Sequence, residues 1–235
     1  MNVNTNYTTI MSLIGEQTRA IMLDTLLGGQ SLPAGELAYI AGVTPQTASS
    51  HLSKLIDANV LLVETNGRHR YYRLASPEVA QLMELIAAVT PPVRVRSLRE
   101  SEQMKKVRHA RTCYDHLAGR LGVDLTKSML DNGLIEVESP TDFSLTSQGH
   151  DHFRQFGIDF SVIKLGRRVF ARRCLDWSER YHHVGGLLGA TLTSALFERR
   201  WIERVEGLRA VKVTDVGRSG FREFFGLDVK EIIKA

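Results

Sequence analysis

Hydrophobic positions near the start of the chain recur at helical spacing and predict a small bundle of helices. Six apolar side chains share one face of a helix predicted over residues 8–27: Ile10, Leu13, Ile14, Ile21, Leu26 and Leu27. The glycines of "GGQ" end this helix. Ser31 as the N-cap and Pro33 in the first turn predict a second helix that runs to Gly42. After the turn "GVT", Thr44 followed by Pro45 predicts the start of a third helix.

The third helix has one apolar face and one polar face, and a hairpin follows it. Ala48, Leu52 and Leu55 lie on the apolar face at positions i, i+4 and i+7. The hydrophobic run that follows turns at "NGRH" and returns as "RYYRLA". Two helices joined by a short turn, the second polar and followed by a hairpin, are typical of a helix-turn-helix with a wing.

The polar face of the third helix is suited to the major groove of DNA. Short hydroxyl and amide side chains approach base edges closely, and wing arginines pair with phosphates. His51 has two open roles, a phosphate contact or helix packing. The predicted DNA-contacting residues are Thr44, Gln46, Thr47, Ser49, Ser50, His51, Lys54, Arg68, His69, Arg70, Tyr72 and Arg73.

Positive charge is concentrated in patches. The chain has 235 residues and a formal net charge of +4, yet residues 1–90 contain five Lys/Arg against seven Asp/Glu. Residues 91–111, "PPVRVRSLRESEQMKKVRHAR", carry seven basic and two acidic residues. We predict that this stretch is a basic linker with a helix that packs a dimer or follows the phosphate backbone. A merely solvated face would explain it equally well.

The segments "GEQTRAIMLDTL", "ELAYIAGVTPQTASSHLSKLIDANVL" and "GRHRYYRL" closely resemble the ArsR-type winged-helix repressors of bacteria. The resemblance covers about the first 90 residues and implies a dimer that binds a palindromic operator and is released by a signal. Metal-sensing members of that family carry Cys-x-Cys in the helix that "ELAYIAG" represents. Here Tyr39, Ile40 and Ala41 occupy the segment, so that thiolate site is excluded.

The second half of the chain contains a repeat. "YDHLAGRLGVDLTKSML" (114–130) and "YHHVGGLLGATLTSALF" (181–197) are identical at seven of seventeen positions, at an offset of 67. Unrelated segments would share about one. Each copy is predicted to run helix, turn, helix, strand, turn, strand, helix, which is a degenerate winged helix used for packing and sensing. A plain helical dimerisation domain is the alternative. "GGLLGA" (185–190) is predicted to serve close helix packing.

The sensor candidates are Cys113, Tyr114, His116, Cys174, Tyr181 and His183. The repeated Tyr-x-His pairs are predicted to line one ligand cleft, or alternatively each to anchor its own helix. Cys113 lies near Arg108, His109 and Arg111, a setting that would lower the thiol pKa if the thiol were exposed. Oxidation of Cys113 and Cys174 is therefore the alternative signal. "HDH" (150–152) with His116 matches no closed metal-site spacing, so we predict no metal site.

Other function classes find little support. No Walker loop, G-x-S-x-G or H-E-x-x-H motif indicates an enzyme, and nothing indicates a cofactor. No apolar run approaches the roughly 20 residues of a membrane span, so no membrane partner is expected. Two cysteines and no signal peptide favour the cytoplasm.

These patterns predict a mainly helical α+β chain with small β-wings. We expect a winged helix over residues 1–90, the basic stretch at 91–111, and a module at 112–235 with pseudo-repeats at about 112–158 and 179–227. The function predicted from them is a homodimeric DNA-binding repressor of a palindromic operator, released by a small-molecule inducer at the module.

Overall fold

The computed structural model describes residues 7–91, 97–164, 166 and 168–229. The chain mixes short helices with small hairpins and divides into two compact units, Met1–Met83 and Glu84–Ala235. The sequence had suggested a first domain that extends to residue 90. Residues 92–96 of the predicted basic stretch lie outside the described residues. None of the described helices is both long and apolar enough to cross a bilayer.

The first unit is a winged helix-turn-helix. Its three-stranded sheet has the order β1-β3-β2, with Leu32 opposite Tyr72 and Leu61 opposite Leu74. The elements in chain order are α1 (Tyr7–Ile14), α2 (Gln17–Leu26), β1 (Leu32–Pro33), α3 (Ala34–Ala41), α4 (Pro45–Asp57), β2 (Leu61–Asn66), β3 (His69–Leu74) and α5 (Pro77–Val89), which continues into the second unit.

The structure corrects two helix predictions in this unit. The helix predicted over residues 8–27 is two helices, because the Glu16 side chain accepts hydrogen bonds from the backbone N–H groups of Thr18 and Arg19 and begins α2 there. The next helix starts at Ala34 without a Ser31 cap, since Leu32 and Pro33 pair with β3 instead. The prediction that Thr44 caps α4 is confirmed.

The described part of the second unit contains the end of α5, one further helix and two similar repeats. Each repeat runs hairpin, helix, hairpin, helix; the first covers residues 111–155 and the second 173–225. The elements are α6 (Leu98–His109), β4 (Arg111–Cys113), β5 (His116–Ala118), α7 (Gly119–Asp131), β6 (Ile135–Val137), β7 (Phe143–Leu145), α8 (Ser147–Gln155), β8 (Arg173–Leu175), β9 (His182–Val184), α9 (Gly186–Glu198), β10 (Ile202–Arg204), β11 (Val211–Val213) and α10 (Asp215–Phe225).

The first element of each repeat differs from the sequence prediction. A helix was predicted there, as in a winged helix, but the structure has a two-stranded hairpin in both copies. The second repeat also starts at residue 173, before the predicted 179. The later hairpin and helix of each copy do have the predicted order of strand, turn, strand and helix.

The two repeats pack reciprocally. Helix α7 of the first repeat packs against β9 of the second, and α9 of the second packs against β5 of the first. Two backbone hydrogen bonds have the same reciprocal arrangement: Phe143 N–H donates to Ala171 O (2.7 Å), and Val211 N–H donates to Ala110 O (2.9 Å). This reciprocity is the arrangement expected for two copies related by approximate two-fold symmetry.

Glycine permits the close approach of helix and hairpin. A Cβ atom at Gly122 would lie 2.6 Å from the carbonyl oxygen of Leu117, and one at Gly189 would lie 2.2 Å from that of Val184. Any side chain would push the helix away from the strand. The close-packing interpretation of "GGLLGA" therefore agrees with the structure.

Candidate functional sites

The polar face of α4 is exposed along the helix. Thr44 caps its N-terminus, and the Thr44 Oγ1 atom lies 2.9 Å from Thr47 Oγ1. Ala48, Leu52 and Leu55 are buried, as the sequence predicted. The predicted base- and phosphate-contacting side chains on this helix that are exposed are Gln46, Thr47, Ser49, Ser50 and Lys54.

His51 faces the interior of the first unit rather than solvent. Its Nδ1 atom lies 3.2 Å from an Arg19 guanidinium nitrogen and 3.4 Å from Glu16 Oε2, and 17% of its side chain is exposed. Arg19 also donates to the backbone carbonyls of Ser12 and Leu13. His51 thus connects α4 to α2. Of the two roles left open by the sequence, these contacts favour helix packing.

The wing, residues 61–74, presents its basic side chains unevenly. Arg68, His69 and Arg70 are exposed around the turn. Arg73 instead forms an ion pair with Glu64, at 2.5 Å between Nε and Oε1. Tyr72 is only 5% exposed, so its inclusion among the predicted DNA contacts is corrected: the ring belongs to the core, because inward positions alternate along a strand. The tip is the part of the wing that is available to a phosphate backbone.

The second unit brings together four of the six sensor candidates. In the first repeat Cys113 and His116 are cross-strand partners on either side of a two-residue turn. In the second repeat Cys174 and His183 are cross-strand partners in the equivalent hairpin. One ligand-type atom from each of these four residues lies within 4.8 Å of the other three, and all four residues are buried. We call this group the Cys–His cluster.

Close contacts join the two halves of the Cys–His cluster. The Sγ atoms of Cys113 and Cys174 are 3.9 Å apart. The imidazole rings of His116 and His183 have centroids 5.1 Å apart. His116 Nε2 and His183 Nε2 are buried without a hydrogen-bond partner, and His183 Nδ1 has a 3.4 Å contact with Asp176 that lies outside hydrogen-bond geometry. Buried polar atoms in folded proteins are normally satisfied, so these nitrogens require an explanation.

A carboxylate lies beside the Nδ1 atom of each histidine. His116 Nδ1 is 3.2 Å from Asp115 Oδ1, and His183 Nδ1 is 3.4 Å from Asp176 Oδ2. A carboxylate at Nδ1 favours the tautomer that leaves Nε2 with a free lone pair. In both repeats, therefore, a carboxylate stands next to Nδ1 and leaves Nε2 as the ring nitrogen that is open to a further partner.

Asp176 is also the centre of a buried ionic network. Its Oδ2 atom accepts hydrogen bonds from Arg111 (2.9 Å) and from the backbone N–H of Gly119 (2.7 Å). Arg111 is fully buried, lies 4.7 Å from the ring of Trp177 and is 3.8 Å from Glu84 Oε2. Burial alone would raise the pKa of Asp176, but the neighbouring His183 and Arg111 hold that pKa well below its usual range. Arg111 is thus a structural residue and not part of a basic surface.

The thiols do not have the exposed, acidic character that the sequence suggested. Cys113 is 1% exposed and Cys174 is 7% exposed. The hydrogen bond with Cys174, together with burial, raises the pKa of the Cys113 thiol well above its usual range. The condition under which the basic neighbours would lower this pKa, exposure of the thiol, is therefore not met.

The repeated tyrosines do not join the histidines. Tyr181 is 70% exposed, and Tyr114 lies at the turn between β4 and β5 with a backbone φ of 60°. His116 and His183 lie on strands, and no backbone carbonyl in the described part of the chain pairs with their Nε2 atoms, which disfavours the alternative in which each imidazole anchors its own helix. His152 of the "HDH" segment packs against Phe224, with ring centroids 4.2 Å apart. Among the described residues, the Cys–His cluster is the group whose donors converge.

The sequence predicted one cleft for the two histidines and a possible bond between the two cysteines, but not that the cysteines and the histidines form one cluster. Cys113 and Cys174 are offset by 61, whereas His116 and His183 are offset by 67. The difference of six arises because two residues separate Cys113 from His116 and eight separate Cys174 from His183. Because the second turn is longer, the two cysteines do not match each other when the repeats are aligned without a gap. Allowing a gap there would have revealed the repeated Cys/His pair.

Comparison with known proteins agrees with the winged helix. A family model described as "Helix-turn-helix domain" matches residues 14–64. The chain is 42% identical over 227 residues to YdfF, an uncharacterized HTH-type transcriptional regulator of Bacillus subtilis (strain 168), covering 97% of this chain and 100% of that protein.

Solved structures resemble a smaller part of the chain. The transcriptional repressor BigR from Xylella fastidiosa is 22% identical, with a TM-score of 0.34, and the match covers 37% of this chain and 87% of that one. HlyU from Vibrio cholerae N16961 is 24% identical, with a TM-score of 0.34, and the match covers 37% of this chain and 94% of that one. The identity to YdfF along nearly the whole of both chains, together with the helix-turn-helix match, places this protein in the family of HTH-type transcriptional regulators.

Proposed function

We propose that this regulator is a homodimeric repressor that binds a palindromic operator through α4 and the tip of the wing. The observation that carries the proposal is the exposed polar face of α4, where residues 45–56 contain no acidic side chain. A carboxylate there would repel phosphate and most base edges, whereas Gln46, Ser49 and Ser50 donate and accept hydrogen bonds.

In this proposal the wing contacts the DNA backbone, and these contacts do not depend on the base sequence. Arg68 and Arg70 extend from the turn of the hairpin, and Arg70 lies above the buried ring of Tyr72 at 5.8 Å. That packing limits the positions of the guanidinium group. In this proposal the tip pairs with phosphate oxygens or enters the minor groove while α4 occupies the major groove.

Dimerisation and the operator follow from the resemblance to ArsR-type repressors. A two-fold dimer binds half-sites that are about one helical turn apart, roughly 34–36 Å. Such a regulator acts in the cytoplasm, where its operator is. Release comes from a signal received by the second unit, which changes operator affinity by a coupling free energy of about 1–3 kcal/mol.

The test is to incubate the purified chain with sheared DNA from its own genome and to sequence the retained fragments. Sharp peaks over a palindrome near a promoter are expected for the wild-type protein. Gln46→Ala should relax the preference at one position in each half-site, with a loss of about 1–3 kcal/mol in discrimination. Arg70→Ala should weaken binding to all sequences and reduce the salt dependence.

Arg120→Ala is the matched control, because it removes the same charge from an exposed position in the second unit, where Arg120 faces Asp124. Diffuse retention by the wild type, equal to that of a Gln46→Ala/Arg70→Ala double variant, would overturn the proposal of sequence-specific binding. An unaltered salt slope in Arg70→Ala would remove the wing tip from the DNA contacts.

Thiol oxidation is a second candidate signal, and the 3.9 Å separation of the Cys113 and Cys174 sulfur atoms favours it. With a hydroperoxide as the oxidant, two thiols and ROOH give one disulfide, ROH and water. Cys113→Ser should then abolish any loss of operator binding after peroxide treatment. A response that persists in Cys113→Ser would exclude this signal.

A further inference from the structure

We infer that the Cys–His cluster is a binding site for one zinc-class divalent metal ion, with Cys113, His116, Cys174 and His183 as its four ligands. The inference concerns a site in the second unit and does not depend on operator binding. Two thiolates and two imidazoles form the Cys₂His₂ set that is typical of closed, tetrahedral structural zinc sites.

The distances fit such a site. With Zn–S bonds of about 2.3 Å and a tetrahedral angle, the two sulfur atoms of a Cys₂His₂ site are about 3.8 Å apart. The Sγ atoms of Cys113 and Cys174 are separated by 3.9 Å. The four donor atoms all lie within 4.8 Å of one another. Donors around one tetrahedral zinc ion are about 3.3–3.8 Å apart, so the most distant pair must approach by about 1 Å when a single ion binds.

The unsatisfied nitrogens provide independent support. His116 Nε2 and His183 Nε2 are buried and have no hydrogen-bond partner. The His183 residue is fully buried, and the His116 residue is 8% exposed. A buried polar atom that is left unpaired lowers the stability of the folded protein. Coordination to a cation gives each lone pair a partner and removes that cost.

The surroundings orient these nitrogens as ligands. Asp115 and Asp176 lie beside the Nδ1 atoms, which reproduces the carboxylate–histidine–metal arrangement found around many protein zinc ions. Asp176 is held by Arg111 and by the backbone N–H of Gly119. The carboxylate beside His183 is therefore held in place by a buried network.

Charge balance favours a divalent ion. Two thiolates contribute a charge of −2 in a buried location, and two neutral imidazoles contribute none, so one divalent cation makes the site neutral. Thiolate and imidazole ligands in a tetrahedral arrangement favour zinc over the oxygen-seeking ions magnesium and calcium. The ion would join the two repeats, since each contributes one cysteine and one histidine.

The first experiment is a titration of the reduced, chelator-treated full chain with Co²⁺ under anaerobic conditions. We expect the visible bands of tetrahedral Co²⁺ and a thiolate-to-cobalt charge-transfer band, saturating at about one ion per chain. Zn²⁺ should then displace the cobalt and bleach both bands. A spectrum of octahedral Co²⁺ without charge transfer would overturn the inference.

Variants locate the site. Cys174→Ser and His183→Asn should each weaken metal binding by at least about 100-fold, because each removes a ligand itself, whereas changes in outer-shell partners cost about 10–100-fold. His150→Asn is the matched control, since it alters a histidine outside the cluster and should leave the titration unchanged. Persistence of the tetrahedral spectrum in both ligand variants, or its loss in His150→Asn, would place the metal elsewhere.

A measurement on the unmodified chain covers the case in which a ligand variant does not fold. X-ray absorption of the zinc-loaded wild type should show two sulfur ligands at about 2.3 Å and two nitrogen ligands at about 2.0–2.1 Å. A first shell of nitrogen and oxygen alone would contradict the assignment. None of these readouts uses DNA, so failure of the metal site and failure of the proposed repressor function are separately visible.

Discussion

The side-chain oxygen of Thr126 accepts a hydrogen bond from the backbone N–H of Val184 at 3.0 Å. The equivalent bond runs in the opposite direction, from the N–H of Leu117 to Thr193 Oγ1 at 2.9 Å. Thr126 and Thr193 are separated by the repeat offset of 67. A threonine of each helix thus accepts a hydrogen bond from a backbone N–H in the other repeat. The N–H belongs to the residue that directly follows the histidine of the Cys–His cluster. The two threonines therefore join the two repeats next to the two histidines of the cluster.

This exchange predicts the effect of Thr126→Ala. The substitution leaves the buried N–H of Val184 without an acceptor, which should lower the free energy of unfolding of the second unit by about 1–3 kcal/mol. Both tryptophans, Trp177 and Trp201, lie in this unit, so urea unfolding followed by tryptophan fluorescence reports it directly. Thr126→Ser keeps the hydroxyl and should remain near the wild type. Equal midpoints for the alanine and serine variants would refute the role of the hydroxyl.

The buried ionic network predicts a larger loss for Asp176→Asn. Removal of the negative charge leaves the more distant Glu84 as the carboxylate that faces the buried Arg111. Breaking a buried ion pair costs about 3–5 kcal/mol. The same fluorescence measurement checks this value. Asp151→Asn is the control, because the ion pair of Asp151 with Arg154 is exposed and should contribute at most about 1 kcal/mol. Similar effects of the two substitutions would contradict the assigned importance of the network.

Glu16 predicts a pH dependence in the first unit. The hydrogen bond from the backbone N–H of Arg19, together with that of Thr18, lowers the pKa of Glu16 to about 2 from 4.5. A depressed carboxyl pKa contributes stability that is fully present above pH 4.5 and is lost as the pH falls to about 2. The protection factors of the α2 amides, which correct for the intrinsic pH dependence of hydrogen exchange, should therefore fall across this window in the wild type. In Glu16→Gln the protection factors should be lower at neutral pH and change less with acidification. A variant with the same pH profile as the wild type would be incompatible with this assignment.

Gly185 predicts a selective change in the metal site. A Cβ atom at this position would lie 3.1 Å from both Cε1 and Nε2 of His116, which is closer than an ordinary contact. Gly185→Ala should displace the imidazole and weaken Co²⁺ binding by about tenfold, within the range for changes that disturb ligand orientation. Gly35→Ala is the control, because a Cβ there meets no neighbouring atom within 4 Å. Unchanged affinity in Gly185→Ala would argue against His116 Nε2 as a ligand.

Local patterns predicted the first unit well because its signals are short-range. The Thr44 cap, the spacing of Ala48, Leu52 and Leu55, and the "NGRH" turn each act within a few residues, and the structure has all three. The break between α1 and α2 was not predicted, because the apolar periodicity continues through it. The local signal is Glu16, whose side chain caps α2 by accepting a hydrogen bond from the N–H of Arg19. The burial of Tyr72 was not predicted, since sequence alone does not show which strand face is buried, and neither was the ion pair of Arg73 with Glu64.

The sequence by itself determined the winged helix, the existence and period of the repeat, and the cysteines and histidines worth attention. Only the tertiary structure decided that Cys113 and His116 meet Cys174 and His183. The physical reason is that this convergence depends on long-range, reciprocal packing, in which α7 covers β9 and α9 covers β5. The two hairpin turns also differ in length by six residues, so an ungapped alignment of the repeats does not match Cys113 with Cys174. In the structure each cysteine is nevertheless the cross-strand partner of the histidine in its own hairpin.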